Sequence, residues 1–166
     1  MQTGGLQAPI GENKRLVRRF FREFYDRRHL EIIDELFTPD YVHHRPDRGT
    51  MDFREFRRHE LQMASAFPDM TREVVDQIAE GDKVVTSSVI RGTQTGDLPE
   101  IPATGRKIEV RSVVISRIRH GKLAEGYEIA DLLGMYMQLD VIHMVSTLGK
   151  SRRERGYFPP ITEWPG

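Results

Sequence analysis

Apolar residues first recur at helical spacing. In KRLVRRFFREFYDRR, Leu16, Val17, Phe20, Phe21 and Phe24 share one face and arginines take the other. That spacing predicts an amphipathic helix with Asn13 as its N-cap. LEIIDELF, residues 30–37, predicts a short second helix stopped before Pro39. YVHHR predicts a brief extended piece ending at Pro46. Asp52 is placed to cap a third helix, FREFRRHELQMASAF, which Pro68 ends. Its inner stripe would be Phe53, Phe56, His59 or Glu60, Met63 and Phe67.

After Pro68 the period drops to two. TREVVDQIAEGDKVVTSSVIRGTQTG predicts two strands joined at EGD, and GRKIEVRSVVISRIRHGKLAEGYEIAD two more joined at RHGK. Gly81 and Gly121 supply the permissive turn positions. A last helix is expected from about Leu132 to Thr147. Helices, then antiparallel strands, then a helix give an α+β fold, with helices on one face of a curved sheet. The organisation expected is a loose segment over 1–12, one domain over 13–149 and a Pro-rich tail over 150–166.

Composition narrows the function classes. Lys plus Arg number 25 and Asp plus Glu number 25, so the basic excess a nucleic-acid binder needs is missing. Cysteine is absent, which excludes disulfides, thiolate zinc sites and cysteine nucleophiles. No apolar run reaches membrane-spanning length, and MQTGGLQAPIGEN lacks the pattern of a secretory signal. The expectation is a soluble cytoplasmic protein with no nucleic-acid or membrane partner. No P-loop, dinucleotide fingerprint or zinc spacing occurs.

Five stretches, in order, resemble the SnoaL-like polyketide cyclase and ester cyclase family. They are the opening NKRLVRRFFREFYDRRHLEIIDELFTPDYVHH, AFPDM, AEGDKVV, RGTQTGDLPEIPATGRKIEV and RHGKLAEGYEIADLLG. The resemblance implies the cone-shaped nuclear-transport-factor-like fold: a strongly curved, mainly antiparallel sheet packed with N-terminal helices around a central pocket. It also implies cofactor-free acid/base chemistry, an intramolecular aldol closure of a polyketide-like or other small hydrophobic carbonyl substrate. A homodimer or higher homo-oligomer is implied too. Isomerase, hydratase or epoxide hydrolase chemistry on the same fold, or a non-catalytic binding module, are the alternatives.

By motif position the family's pocket aspartate corresponds to Asp131. Its spacing alone fits two roles, an N-cap of the last helix and a buried acid/base. His44 matches the family's histidine after PDYV and would stabilise an enolate or fix the turn before Pro46; alternation sends His43 the other way. His59 and Glu60 depart from the family's apolar residues, and adjacent helical positions leave room for only one of them inside. His59 joins Asp131 and His44 as a catalytic candidate. Phe20, Phe24, Tyr41, Met63 and Phe67 are candidates for the pocket wall, and Tyr25 and Tyr41 for phenolic donors. Tyr127 and Ile129 share the parity of Asp131 and are expected to line the same cavity. Glu128 would then face outward, and Val114 would leave Asp131 without a polar partner. No metal ligand set and no cofactor are expected.

Overall fold

The computed structural model describes residues 10–142. Helix α1 (Ile10–Phe21) runs into a π-helical turn (Arg22–Asp26), followed by α2 (Ile32–Leu36), β1 (Phe37–Arg45) and β2 (Gly49–Asp52). Then come α3 (Phe53–Ala66), β3 (Thr71–Glu80), β4 (Lys83–Thr93), β5 (Lys107–Arg119), β6 (Lys122–Ala130) and α4 (Leu132–Gln138). The six strands form one open sheet in the order β2-β1-β6-β5-β4-β3. Every neighbouring pair is antiparallel except β1 and β6, which run parallel. Helix α1 packs on β3 and β4, α3 on β1 and β2, and α4 on β5.

Phe20, Phe21, Phe24, Tyr25, Phe37, Tyr41 and Phe56 are buried together between α1, α3 and the sheet. Several meet edge to face, with Phe37 4.8 Å from Phe20 and 4.7 Å from Tyr41. Such pairs add about 0.5–1.5 kcal/mol each beyond the burial of their area. The cap of α3 is as expected: Asp52 accepts from the Glu55 amide at 2.8 Å, and Glu55 accepts from the Asp52 amide at 3.1 Å. The turns are also as expected, with Gly81 and Gly121 at positive φ.

Four expectations change. Helix α1 begins at Ile10, and Asn13 is no cap; its buried amide donates to the Gly81 carbonyl at 3.4 Å. β1 begins at Phe37, inside the stretch read as helix. Pro39 is tolerated there because the β1–β6 pairing is irregular between Phe37 and Val42. β2 carries only four residues and too little alternation to be read. Helix α4 ends at Gln138, and residues 143–147 of the expected helix lie outside the described residues, as does the tail 150–166.

The register fixes which residues face the helices. Ser112 pairs with Ala130, Val114 with Glu128 and Ser116 with Gly126, all on the helix-covered face. Tyr127 and Ile129 point to the opposite face, 44% and 56% exposed. Parity was therefore legible but its sign was not. Both faces of β5 and β6 carry apolar residues, so period two names two faces without saying which one the helices cover.

Candidate functional site

A cavity of about 640 Å³ opens between the covered face of the sheet, α3, α4 and the β4–β5 loop. Its apolar wall includes Met63, Met70, Ile90, Ile108, Val110 and Met135, with Leu98 and Ile101 contributed by the loop. Its polar wall includes Tyr25, Arg45, His59, Glu60, Arg72 and Glu128, with Asp47, Arg48 and Glu100 also lining the space.

Those polar groups form one connected chain. Glu128 on β6 accepts from Arg72 Nη2 through Oε1 at 2.6 Å. The same Nη2 donates to Ser112 Oγ at 2.6 Å, and Arg72 Nε donates to Ser88 Oγ at 3.0 Å. Arg72 Nη1 donates to the Tyr25 hydroxyl at 3.2 Å, and that hydroxyl donates to Glu60 Oε2 at 2.6 Å. The guanidinium also lies 4.3 Å from the Phe21 ring centroid, a cation–π contact. Glu128 Oε2 is turned toward His43 Nε2 at 3.6 Å and Arg45 Nη1 at 3.7 Å. Arg45 Nη1 donates to His59 Nε2 at 3.1 Å, and Arg45 Nε donates to Asp47 at 3.0 Å.

The charges follow. Burial alone would raise the Glu128 carboxyl, but Arg72, His43 and Arg45 outweigh it and hold Glu128 far below the usual carboxylate range. Burial alone would lower Arg72, and Glu128 overrides that, so the guanidinium stays cationic. Burial pushes the Tyr25 phenol up, helped by Glu60. Burial, with Arg45 and Arg48 adding to it against Glu60, pushes His59 down. A guanidinium can only donate, so His59 Nε2 is the bare nitrogen and Nδ1 carries the hydrogen.

The expected site residues separate into four groups. His59 and Met63 line the cavity. Phe20 and Tyr41 border a smaller space behind Glu128, shared with His43, Val114 and Ser116, while Phe24 and Phe67 are fully buried core. Asp131, His44, Tyr127 and Ile129 lie away from the cavity. Asp131 is exposed and caps α4, its Oδ1 accepting from the Gly134 amide at 2.9 Å. His44 sits on the far side of β1, bonded to Glu125 at 3.0 Å and Thr50 at 3.1 Å. His43, not His44, faces the covered side. His59 and Glu60 are both buried, so both positions face inward. Side chains on adjacent helical positions reach a wide cavity together; only a narrow one would separate them.

Glu128, Arg72 and Arg45 were not read as site residues. One signal was available: Gly126, Glu128 and Ala130 share a parity on which only Glu128 has a long side chain, and its partner Val114 is flanked on that face by Ser112 and Ser116. Among the described residues no group of three or more His, Asp or Glu is placed to hold a metal ion. None of the described helices is long and apolar enough to cross a membrane.

With this geometry established, the comparisons decide the family. The model of the SnoaL-like polyketide cyclase family matches residues 15–139, most of the chain. The chain belongs to that family. No curated protein matches it. Among solved structures, this SnoaL-like protein is similar to IdmH, a proposed polyketide cyclase from Streptomyces antibioticus. The two share 30% identity and a TM-score of 0.68, over 78% of this chain and 99% of that one. It is also similar to a proposed SnoaL-like polyketide cyclase from Jannaschia sp. CCS1, at 22% identity and TM-score 0.74, over 84% and 100% of the two chains. AclR, a proposed hydroxylase from Streptomyces galilaeus, has 23% identity and TM-score 0.76, over 84% and 91%. At those lower identities the likeness establishes the nuclear-transport-factor-like fold, which hosts more than one chemistry. Family and fold together support an enzyme of cyclase or isomerase type acting on a small molecule.

Proposed function

We propose that this SnoaL-like protein closes a ring within a polyketide-like or other small hydrophobic carbonyl substrate by an aldol-type step, with Glu128 as the acid/base. The observation that carries this reading is Glu128 itself, an ionised carboxylate in the wall of a largely apolar cavity with one oxygen committed to Arg72. Asp131, exposed at the end of the same strand, yields that role to Glu128.

Glu128 Oε2 takes a proton from a carbon alpha to a carbonyl. Arg45 and His59 stabilise the enolate oxygen that forms. The enolate carbon attacks a second carbonyl of the same molecule, so a C–C bond forms and that C=O becomes an alkoxide. Glu128 returns its proton to the alkoxide, and the product is an isomer of the substrate. A strongly held carboxylate is a weak base, which suits only a carbon already acidified by neighbouring carbonyls. Its conjugate acid is correspondingly ready to give the proton back. The apolar wall brings the two reacting carbons together, a large share of what such an enzyme contributes.

The test is an aromatic β-keto ester carrying a second carbonyl, incubated in D₂O with turnover followed by NMR. Glu128→Gln should lower kcat by roughly 10²-fold or more with ligand-induced thermal shift retained. Glu128→Asp, which keeps the charge but shortens the reach, should fold and lose most of kcat. Full activity in both variants would end the proposal, and loss in Glu60→Gln alone would move the base to Glu60. Solvent ¹⁸O in the product would favour a hydratase or epoxide hydrolase, and binding without turnover a binding module. We also propose that the uncovered sheet face, with Val113, Ile115, Tyr127 and Ile129 exposed, meets a second copy of the chain.

A further inference from the structure

The space behind Glu128 holds a second histidine that the reaction above does not use. His43 is only 3% exposed, and Tyr41 beside it 4%. The Tyr41 hydroxyl lies 2.7 Å from His43 Nδ1. His43 Nε2 has no hydrogen-bond partner and lies 3.6 Å from Glu128 Oε2. That separation exceeds an N–H···O bond, so the contact at this distance is electrostatic.

The tautomer follows from the neighbours. If Nδ1 carried the hydrogen, Nε2 would aim a lone pair at a carboxylate, with nothing to offset the repulsion. If Tyr41 donates to Nδ1, Nε2 carries the hydrogen and faces Glu128 with it. Phe37 and Phe56 pack on the Tyr41 ring, 4.7 and 4.9 Å between centroids, and the side-chain partner of its hydroxyl is His43 Nδ1. Phe56 lies equally close to His43, at 4.7 Å, and holds that ring in place.

The backbone makes room for this pair. Gly126 lies beside His43 in the β1–β6 pairing. A Cβ on Gly126 would collide with the Tyr41 hydroxyl and stand 2.7 Å from His43 Nδ1. Its φ is not in the left-handed region, so space and not backbone freedom calls for glycine here. The residue two before Glu128 on the same strand face therefore lacks a side chain where the histidine needs the volume.

We propose that His43 is a positioning residue for Glu128. Tyr41 and the space left by Gly126 hold its Nε2–H against Oε2, while Arg72 holds Oε1. The carboxylate is then clamped at both oxygens from the protein side and presents one fixed edge to the substrate. This rests on Glu128 being the base, and the experiment separates the two.

Protein labelled with ¹⁵N-histidine is examined by long-range ¹H–¹⁵N NMR, which needs no turnover. The His43 ring should show a bare Nδ1 and a protonated Nε2. Tyr41→Phe should release that tautomer, and Glu128→Gln should move the Nε2 resonance more than Nδ1. A wild-type ring protonated at Nδ1, or one indifferent to both substitutions, overturns the proposal. The rate arm uses 5-nitrobenzisoxazole, which any base in an apolar cavity opens: the base takes the ring C–H proton, the N–O bond breaks, and a nitrile phenolate forms. His43→Asn and Gly126→Ala should each lower kcat by on the order of tenfold with KM within about twofold. Should Glu128→Gln keep the rate, the base assignment fails whatever the tautomer. Should Glu128→Gln lose the rate while His43→Asn and Gly126→Ala keep it, the positioning role alone fails.

Discussion

Glu128 and Asp131 are three residues apart, and the chain treats their carboxylates in opposite ways. Asp131 accepts one backbone amide at an exposed helix start. Asp131→Ala should therefore cost about 1 kcal/mol of stability, as loss of a cap does, with kcat unchanged; thermal melts and turnover measured together check this. Glu128 instead neutralises a fully enclosed arginine. Arg72→Met leaves that carboxylate buried without its cation and should cost about 3–5 kcal/mol. Adding Glu128→Gln to it should recover part of the loss in urea melts, because no buried charge is then left over. His59 makes the site sensitive to acid. Its folded pKa lies below the ordinary value, so the unfolded chain binds the extra proton first. The stability it contributes is complete above about pH 6.5 and is lost as pH falls through its folded pKa. Turnover should fall over the same range, because a protonated ring cannot accept from Arg45. His59→Gln should flatten both profiles.

At the scale of elements, Gln94 ties together the loop between β4 and β5, where Asp97 also accepts from the Ala103 amide at 2.8 Å. Gln94 is fully buried. Its oxygen accepts from Thr104 Oγ1 at 2.7 Å, and its amide nitrogen donates to the carbonyls of Ile101 and Pro102 at 3.2 and 3.3 Å. The loop in turn sets Leu98 and Ile101 into the cavity wall. Gln94→Met keeps the bulk and removes the bonds, so KM should rise several-fold with a smaller change in kcat. Elements were also where the sequence was most legible. Helix α3 with its cap and both hairpins with their turn glycines were readable because each rests on local chemistry. β2 was not, and neither was the start of β1, because a partner strand distant in sequence makes each of them a strand. The candidate site was legible as a stretch but not as residues: His59 and Met63 do line the cavity, while Glu128 was expected on the opposite face. Periodicity is blind to which side the helices cover, and Arg72 carries no local mark of the four partners that surround it.

For the whole molecule, the uncovered face of the sheet carries a cluster of exposed apolar side chains. Val113 pairs with Ile129 and Ile115 with Tyr127 at its centre, with Ile78 exposed on β3. Ile115→Glu combined with Ile129→Glu should convert a dimer to a monomer in light scattering after gel filtration. The cavity lies behind the sheet, so proton abstraction should survive in that monomer. A wild-type chain that is already monomeric would remove the partner from the proposal. The strand order has a further consequence, in time instead of space. β6, one of the last strands made, sits between β1, the first, and β5. The docking of β6 joins segments some eighty residues apart in the chain and brings Glu128 to Arg72 in the same event. Until then the arginine has no anion and the cavity lacks a wall, so any partly folded chain is inert. Such a late pairing of distant segments also sets a slow step, and catalytic competence should appear with that last phase of folding, not before it.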